Sequence, residues 1–133
     1  MFGKSSFSNC IFSAVLFKLF TFGGYQYETI ATTEVFDLEG TTCQQPSYLP
    51  FPIDAAAFMK SSNGNPLLCG GTGGLNNSCL EYIPSSDTWV DPGYTIRERG
   101  IFNPSSAEIS GGRWWVCGGT GVSKSFMNNL DFA

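Results

Sequence analysis

Pro66-Leu67-Leu68-Cys69-Gly70-Gly71 is the stretch on which the fold turns: four uncharged, largely apolar residues closed by a diglycine. A short run of this kind, bounded by glycines, has the signature of a strand buried on both faces. The glycines end it, because without a Cβ they adopt positive φ and let another backbone approach closely. Two other stretches share the form: Leu19-Phe20-Thr21-Phe22-Gly23-Gly24 and Trp114-Trp115-Val116-Cys117-Gly118-Gly119. Gly24 to Gly71 is 47 residues and Gly71 to Gly119 is 48. A nearly constant period of this size marks a repeat in which one small unit stacks on the next.

The residues beyond each diglycine repeat as well. Thr33-Glu34-Val35-Phe36-Asp37-Leu38 comes after the first, and Ser78-Cys79-Leu80-Glu81-Tyr82-Ile83 leads to Asp87-Thr88-Trp89 after the second. Counted from the second glycine, Glu34 and Glu81 match, and Phe36 and Tyr82 match within one residue; Cys43 takes about the place of Trp89. The third copy runs only to Asn129-Leu130-Asp131-Phe132. One unit reads as strands over Ala55 to Lys60, Leu67 to Gly70, Cys79 to Ile83 and Thr88 to Val90. Ala107 to Ile109 would be the inner strand of the third copy, with Ser110 to Arg113 as a hairpin turn.

An apolar strand ending in Gly-Gly, a turn, a strand carrying an aromatic, and a Trp some seven residues later together resemble the kelch family of β-propellers. With the Cys-Gly-Gly triplet, the pattern is similar to secreted invertebrate kelch-like proteins. The resemblance implies an all-β fold, a partial kelch-type propeller with two near-complete four-stranded antiparallel blades and the start of a third. Its repeat positions are Gly23, Gly24, Gly70, Gly71, Gly118, Gly119, Tyr82 and Trp89. The blades would span about 18–54, 55–96 and 97–132. Tyr82 and Trp89 would fill the wedge between sheets, each burying on the order of 150–250 Å². Propellers have four to eight blades, so the reading expects either a larger parent protein or association of copies through unpaired edges and apolar faces.

Residues 1–17 read as a leader or signal-like segment, since Lys4 precedes an apolar run from Cys10 to Phe17; the alternative is a strand preceding Leu19 to Phe22. Lys18 interrupts that run well short of the roughly 20 residues of a membrane span. A formal charge of −4 and seven scattered basic residues offer no footing for nucleic acid. There is no histidine, which removes Ser-His-Asp and Cys-His pairs and every imidazole-based metal site. The copper oxidases resembling galactose oxidase use such ligands, and this chain cannot supply them.

Five cysteines lack the C-x-x-C spacing of zinc sites. Cys69 ends one expected strand and Cys79 opens the next, so an antiparallel turn brings them together as a disulfide; Cys117 has Met127 where Cys79 stands, and no pairing is assigned to it, Cys10 or Cys43. Asn76-Asn77-Ser78 is a glycosylation sequon on Asn76. Cysteines and sequon together point to a secreted protein, the alternative being cytoplasmic. Gly70 to Gly74 lacks the Lys-Ser/Thr of a phosphate loop, and Asp54, Glu81, Asp87 and Glu108 read as solvated carboxylates rather than a catalytic pair. Arg97-Glu98-Arg99 reads as structural. No catalytic residue, metal or cofactor is assigned. The leading expectation is a non-enzymatic interaction module that meets a protein or glycan through loops Gly73 to Ser78, Thr41 to Pro52 and Pro92 to Gly100. The alternative is the non-catalytic portion of a secreted carbohydrate-active or oxidative propeller enzyme.

Overall fold

The computed structural model describes residues 11–15, 18–37, 39, 43–96, 103–109, 113–117 and 128–130. These residues are all-β: fifteen strands and no helix. The first sheet orders β1 (Ile11–Val15), β2 (Lys18–Phe22), β5 (Thr33–Asp37) and β6 (Cys43–Gln44), every pair antiparallel. Between its second and third strands stands a small hairpin, β3 (Tyr25–Gln26) and β4 (Glu28–Thr29). The second sheet orders β8 (Ala57–Lys60), β9 (Pro66–Cys69), β11 (Cys79–Ile83) and β12 (Thr88–Val90). In the third, β13 (Ser105–Ile109), β14 (Arg113–Cys117) and β15 (Asn128–Leu130) follow the same meander. The first strand of the second sheet, β8, packs beside both β1 and β13. Consecutive meanders with their first strands side by side are the blades of a partial β-propeller.

The middle blade is buried on both faces, as the apolar run before its diglycine implies. All four residues of β9 are buried, and the two-residue period of a strand sends them to opposite neighbours. Leu68 joins Phe20, Phe22, Val35, Leu80 and Tyr82 in the core toward the first blade. Leu67 and Cys69 join Met59, Cys79, Ile96, Trp114 and Val116 in the core toward the third. Full burial of one such leucine is worth about 1.5–3 kcal/mol. Tyr82 and Trp89 do fill the wedge: their rings lie 5.0 Å apart, and Trp89 meets Phe22 of the first blade edge-on at 5.2 Å.

Positive φ at the diglycines is required by close approach. Gly23 has φ 56°, and a Cβ there would overlap the carbonyl oxygen of Ile53; one at Gly71, φ 83°, would lie 2.7 Å from the amide nitrogen of Ala56. What crowds them is the connector between blades, whose short strand β7 (Ile53–Asp54) pairs with β10 (Thr72–Gly73) beyond the second diglycine. The Gly24 amide also donates to the Ile53 carbonyl at 2.9 Å. Gly118 and Gly119 lie outside the described residues, as do the Ser110 to Gly112 turn, Met127, Cys10 and Arg97 to Arg99. At the entry to the inner strands Ala55 (φ 56°) and Asn103 (φ 54°) occupy matching left-handed positions, and the Asn103 amide donates to the Ala55 carbonyl at 3.0 Å.

Several expectations change. Ile11–Val15 is a strand paired along its length with β2, so the first blade extends N-terminal to Lys18. The registers Phe22↔Thr33 and Cys69↔Cys79 make Phe36 equivalent to Tyr82 and Cys43 to Trp89, but set Glu34 opposite Thr21 as Leu80 is opposite Leu68. Glu34 therefore matches Leu80 and not Glu81, because the turn after the first diglycine is one residue longer. Asp54 and Glu81 are buried and not solvated. Glu81 accepts hydrogen bonds from Ser61 Oγ (2.6 Å) and Asn65 Nδ2 (2.9 Å), tying down the β8–β9 turn. Glu108 is half-exposed and pairs with Lys60 at 3.3 Å.

Candidate functional site

The Cys69–Cys79 disulfide is formed. The two residues face each other directly across β9 and β11 with Cα atoms 4.1 Å apart, in a pair without mutual backbone hydrogen bonds, where side chains come closest. Both are fully buried against the third blade, so the bond is structural. Cys117, at the matching place in β14, is a free and exposed thiol.

A cleft of about 380 Å³ opens between the first two blades, at the end of the strands opposite the glycine turns. Lys18, Phe20 and Val35 line it from the first blade, Gln45 and Pro46 from the connector, and Tyr82, Pro84 and Asp87 from the second. Phe20 and Tyr82 are its aromatic residues, and Lys18, Gln45 and Asp87 its polar ones. Asp87 occupies a left-handed position (φ 51°) closing the turn between β11 and β12, which asparagine and aspartate tolerate better than other non-glycine residues.

From there the Asp87 carboxylate accepts the Ser47 amide (2.8 Å) and Tyr82 hydroxyl (2.8 Å) on Oδ1 and the Ser47 hydroxyl (3.0 Å) on Oδ2. Trp89 Nε1 donates to the Ser47 carbonyl at 3.1 Å. One carboxylate and one indole thereby fasten the connector of the first blade to the edge of the second. The Ser47 amide, followed by the Tyr82 hydroxyl, holds the Asp87 pKa below the ordinary carboxylate value. Burial, then the bond to and charge of Asp87, drives the Tyr82 pKa well above that of free tyrosine.

At the opposite end Asp54 is buried beside the glycine turns, its Oδ1 without a hydrogen-bond partner. Burial raises its pKa, partly offset by the Ala55 amide. Of the expected recognition loops, Gly73 to Ser78 is anchored by buried Leu75, with Asn76 exposed at its tip. The connector from Thr41 to Pro52 is only partly a surface loop, since Leu49 is buried and Phe51 packs on the core. Within Pro92 to Gly100 the described part, to Ile96, bridges back to the sheet through Ser78↔Thr95, and Ile96 is buried. The network around Ser47 spans 40 residues of sequence, and no local signal announces it.

No family model and no curated protein matches the chain. Among solved structures it is similar to a fungal alcohol oxidase of the AA5 family, in complex with copper, with a TM-score of 0.72 at 14% identity. The match covers 92% of this chain. The fold is shared. The chain spans about 30% of the length of that oxidase. Among the described residues no three Cys, Asp or Glu side chains converge as a metal site, and the sequence contains no imidazole. No described helix is long and apolar enough to cross a membrane.

Proposed function

We propose that the chain is a non-enzymatic binding module of kelch type, part of a larger extracellular propeller, that recognises a protein or glycan where blade ends and connectors meet. The observation that carries this reading is geometric: Asp87 and Trp89 clasp Ser47 of the first blade's connector, so the cleft wall is a fixed surface built from both blades. Surfaces held rigid where blade ends and connectors meet are where recognition residues concentrate. Kelch membership is supported by the diglycine period and by the equivalence of Phe36 with Tyr82. The buried disulfide supports an oxidising compartment, and coverage of about 30% of the oxidase's length supports a larger parent.

Trp89, whose indole is tied to Ser47 beside the cleft, reports on occupancy. Titration of the full chain with glycan and peptide libraries should give a saturable change in tryptophan fluorescence that is absent from Trp89→Phe. Lys18→Met should weaken that binding on the order of tenfold, the loss of one charge-assisted contact. Turnover of a substrate by the purified chain, or binding that perturbs neither the cleft nor the loops, would sink the proposal.

A second reading, the non-catalytic portion of a secreted carbohydrate-active or oxidative propeller enzyme, is favoured by the likeness to the copper-bound alcohol oxidase. The flanking coding sequence separates the two: further blades with clustered His and Tyr favour the enzyme, whereas adhesive or adaptor domains favour binding.

A further inference from the structure

We infer that Asn76 carries an N-linked oligosaccharide, and that this glycan shields the glycine-turn end of the second blade and leaves the cleft as the recognition end. The inference rests on the extracellular reading above. Asn76-Asn77-Ser78 has the acceptor sequence. Its structural setting suits the product: Asn76 is exposed at the tip of a turn, in a left-handed conformation with φ 55°. The turn closes without it. The Ser78 amide and hydroxyl both bond to the Leu75 carbonyl, at 2.8 and 2.7 Å, and Leu75 is buried as the anchor. The Asn76 amide makes no hydrogen bond among the described residues, so a sugar attached there displaces nothing. A left-handed turn position alone is served as well by glycine, which supplies no acceptor nitrogen.

In the transfer, Nδ2 of Asn76 attacks the anomeric carbon of a polyprenyl-diphosphate-linked oligosaccharide. The N–C bond forms, the C–O bond to the diphosphate breaks, the lipid diphosphate leaves with the bonding pair, and the amide proton passes to a base of the transferase. Cys79, one residue beyond the acceptor serine, is held in the buried disulfide, so sequon and oxidised pair occupy one loop and strand start.

The same strand fixes which end is shielded. Starting beside the sequon, β11 runs from Cys79 to Ile83 before the Pro84 to Asp87 turn that walls the cleft, about 13 Å of extended chain. A bulky, hydrated saccharide on Asn76 thus covers the Gly73 to Ser78 loop and the adjoining bridge at Thr95. The cleft with Lys18 stays open.

The test is secretion of the full chain from a eukaryotic cell line behind a cleavable leader, followed by intact-mass analysis and peptide mapping. The expected result is a hexose and N-acetylhexosamine mass on the peptide containing Asn76, removed by peptide-N-glycosidase with conversion of the acceptor to aspartate. Asn76→Asp, which keeps the turn conformation accessible, should abolish it, and Ser78→Thr should retain it. Amine labelling of Lys18 should proceed at the same rate with and without the glycan. An unmodified Asn76 in secreted chain whose Cys69–Cys79 bond has formed overturns the modification while leaving the extracellular reading intact. Free thiols at both cysteines in the secreted, folded chain overturn that reading instead. Slower Lys18 labelling in the glycosylated chain than in Asn76→Asp overturns the assignment of ends.

Discussion

The two interfaces of the middle blade use the same strand registers and solve the packing problem in opposite ways. Toward the first blade, the facing pair at the end of the second and third strands is Phe22 and Thr33, and the large ring reaches across to Tyr82 and Trp89. Toward the third blade, the same two positions hold Cys69 and Cys79, which are small and bond to each other. There the volume comes from the other side, with Trp114 inserted among Met59, Leu67 and the disulfide. Facing positions exchange large for small while the filled space is conserved, which is the substitution that a close-packed core tolerates best. The difference teaches that a blade contact is specified by shared volume, and that either sheet can supply it.

That comparison can be broken from the aromatic side first. Phe22→Ala removes the ring at the centre of the first interface, fully buried and in contact with Phe20, Tyr82 and Trp89. It should cost about 3–5 kcal/mol in denaturant unfolding, with loss of the Trp89 near-ultraviolet signal. On the other side, the double change Cys69→Ala and Cys79→Ala should cost roughly 3 kcal/mol, the loop-entropy term for a short bridge. If the two interfaces are independent, that variant, read in a Trp114→Phe and Trp115→Phe background where Trp89 is the one indole, keeps the Trp89 signal; its loss in the folded state would show that the interfaces are coupled.

The smallest effect is electrostatic. Asp87, whose pKa is depressed in the native state, stabilises above the ordinary carboxylate value of 3.8, and its contribution is lost as pH falls through the depressed value. Asp54 acts in the opposite sense: its raised pKa means that burying its charge opposes folding near neutrality, and protonation as pH falls through the raised value relieves that penalty. Melting curves of wild type and Asp87→Asn should accordingly differ at neutral pH and converge in strong acid. A difference that persists unchanged below the depressed pKa would remove Asp87 from the set of groups that join the first two blades.

How far the sequence reaches depends on whether the signal is local. The apolar run of β9, the strand after it and the disulfide between them are all readable, because Cys69 and Cys79 sit at the ends of one hairpin. The correspondence of Cys43 with Trp89 is readable for the same reason, being set by an equal distance along the chain from Phe36 and Tyr82, which they face across their strand pairs. The clasp on Ser47 is not, since its donors and acceptors come from two blades and Ser47 and Asp87 carry no pattern linking them. Burial of Asp54 and Glu81 escapes composition too: acidic residues favour solvent on average, and only the folded chain shows that Ser61 and Asn65 converge on Glu81. The one-residue lengthening after the first diglycine misaligned Glu34 because counting from glycine assumes turns of equal length.

The link between Asn103 and Ala55 joins the entries of adjacent inner strands through main chain alone, an amide to a carbonyl. Such a stitch places no demand on side-chain identity beyond tolerance of a left-handed residue, as an alanine and an asparagine at the two places already illustrate. The entries of these two inner strands are thus joined by groups that every residue but proline supplies. Side chains at these two entries can therefore change while the main-chain link between the blades stays.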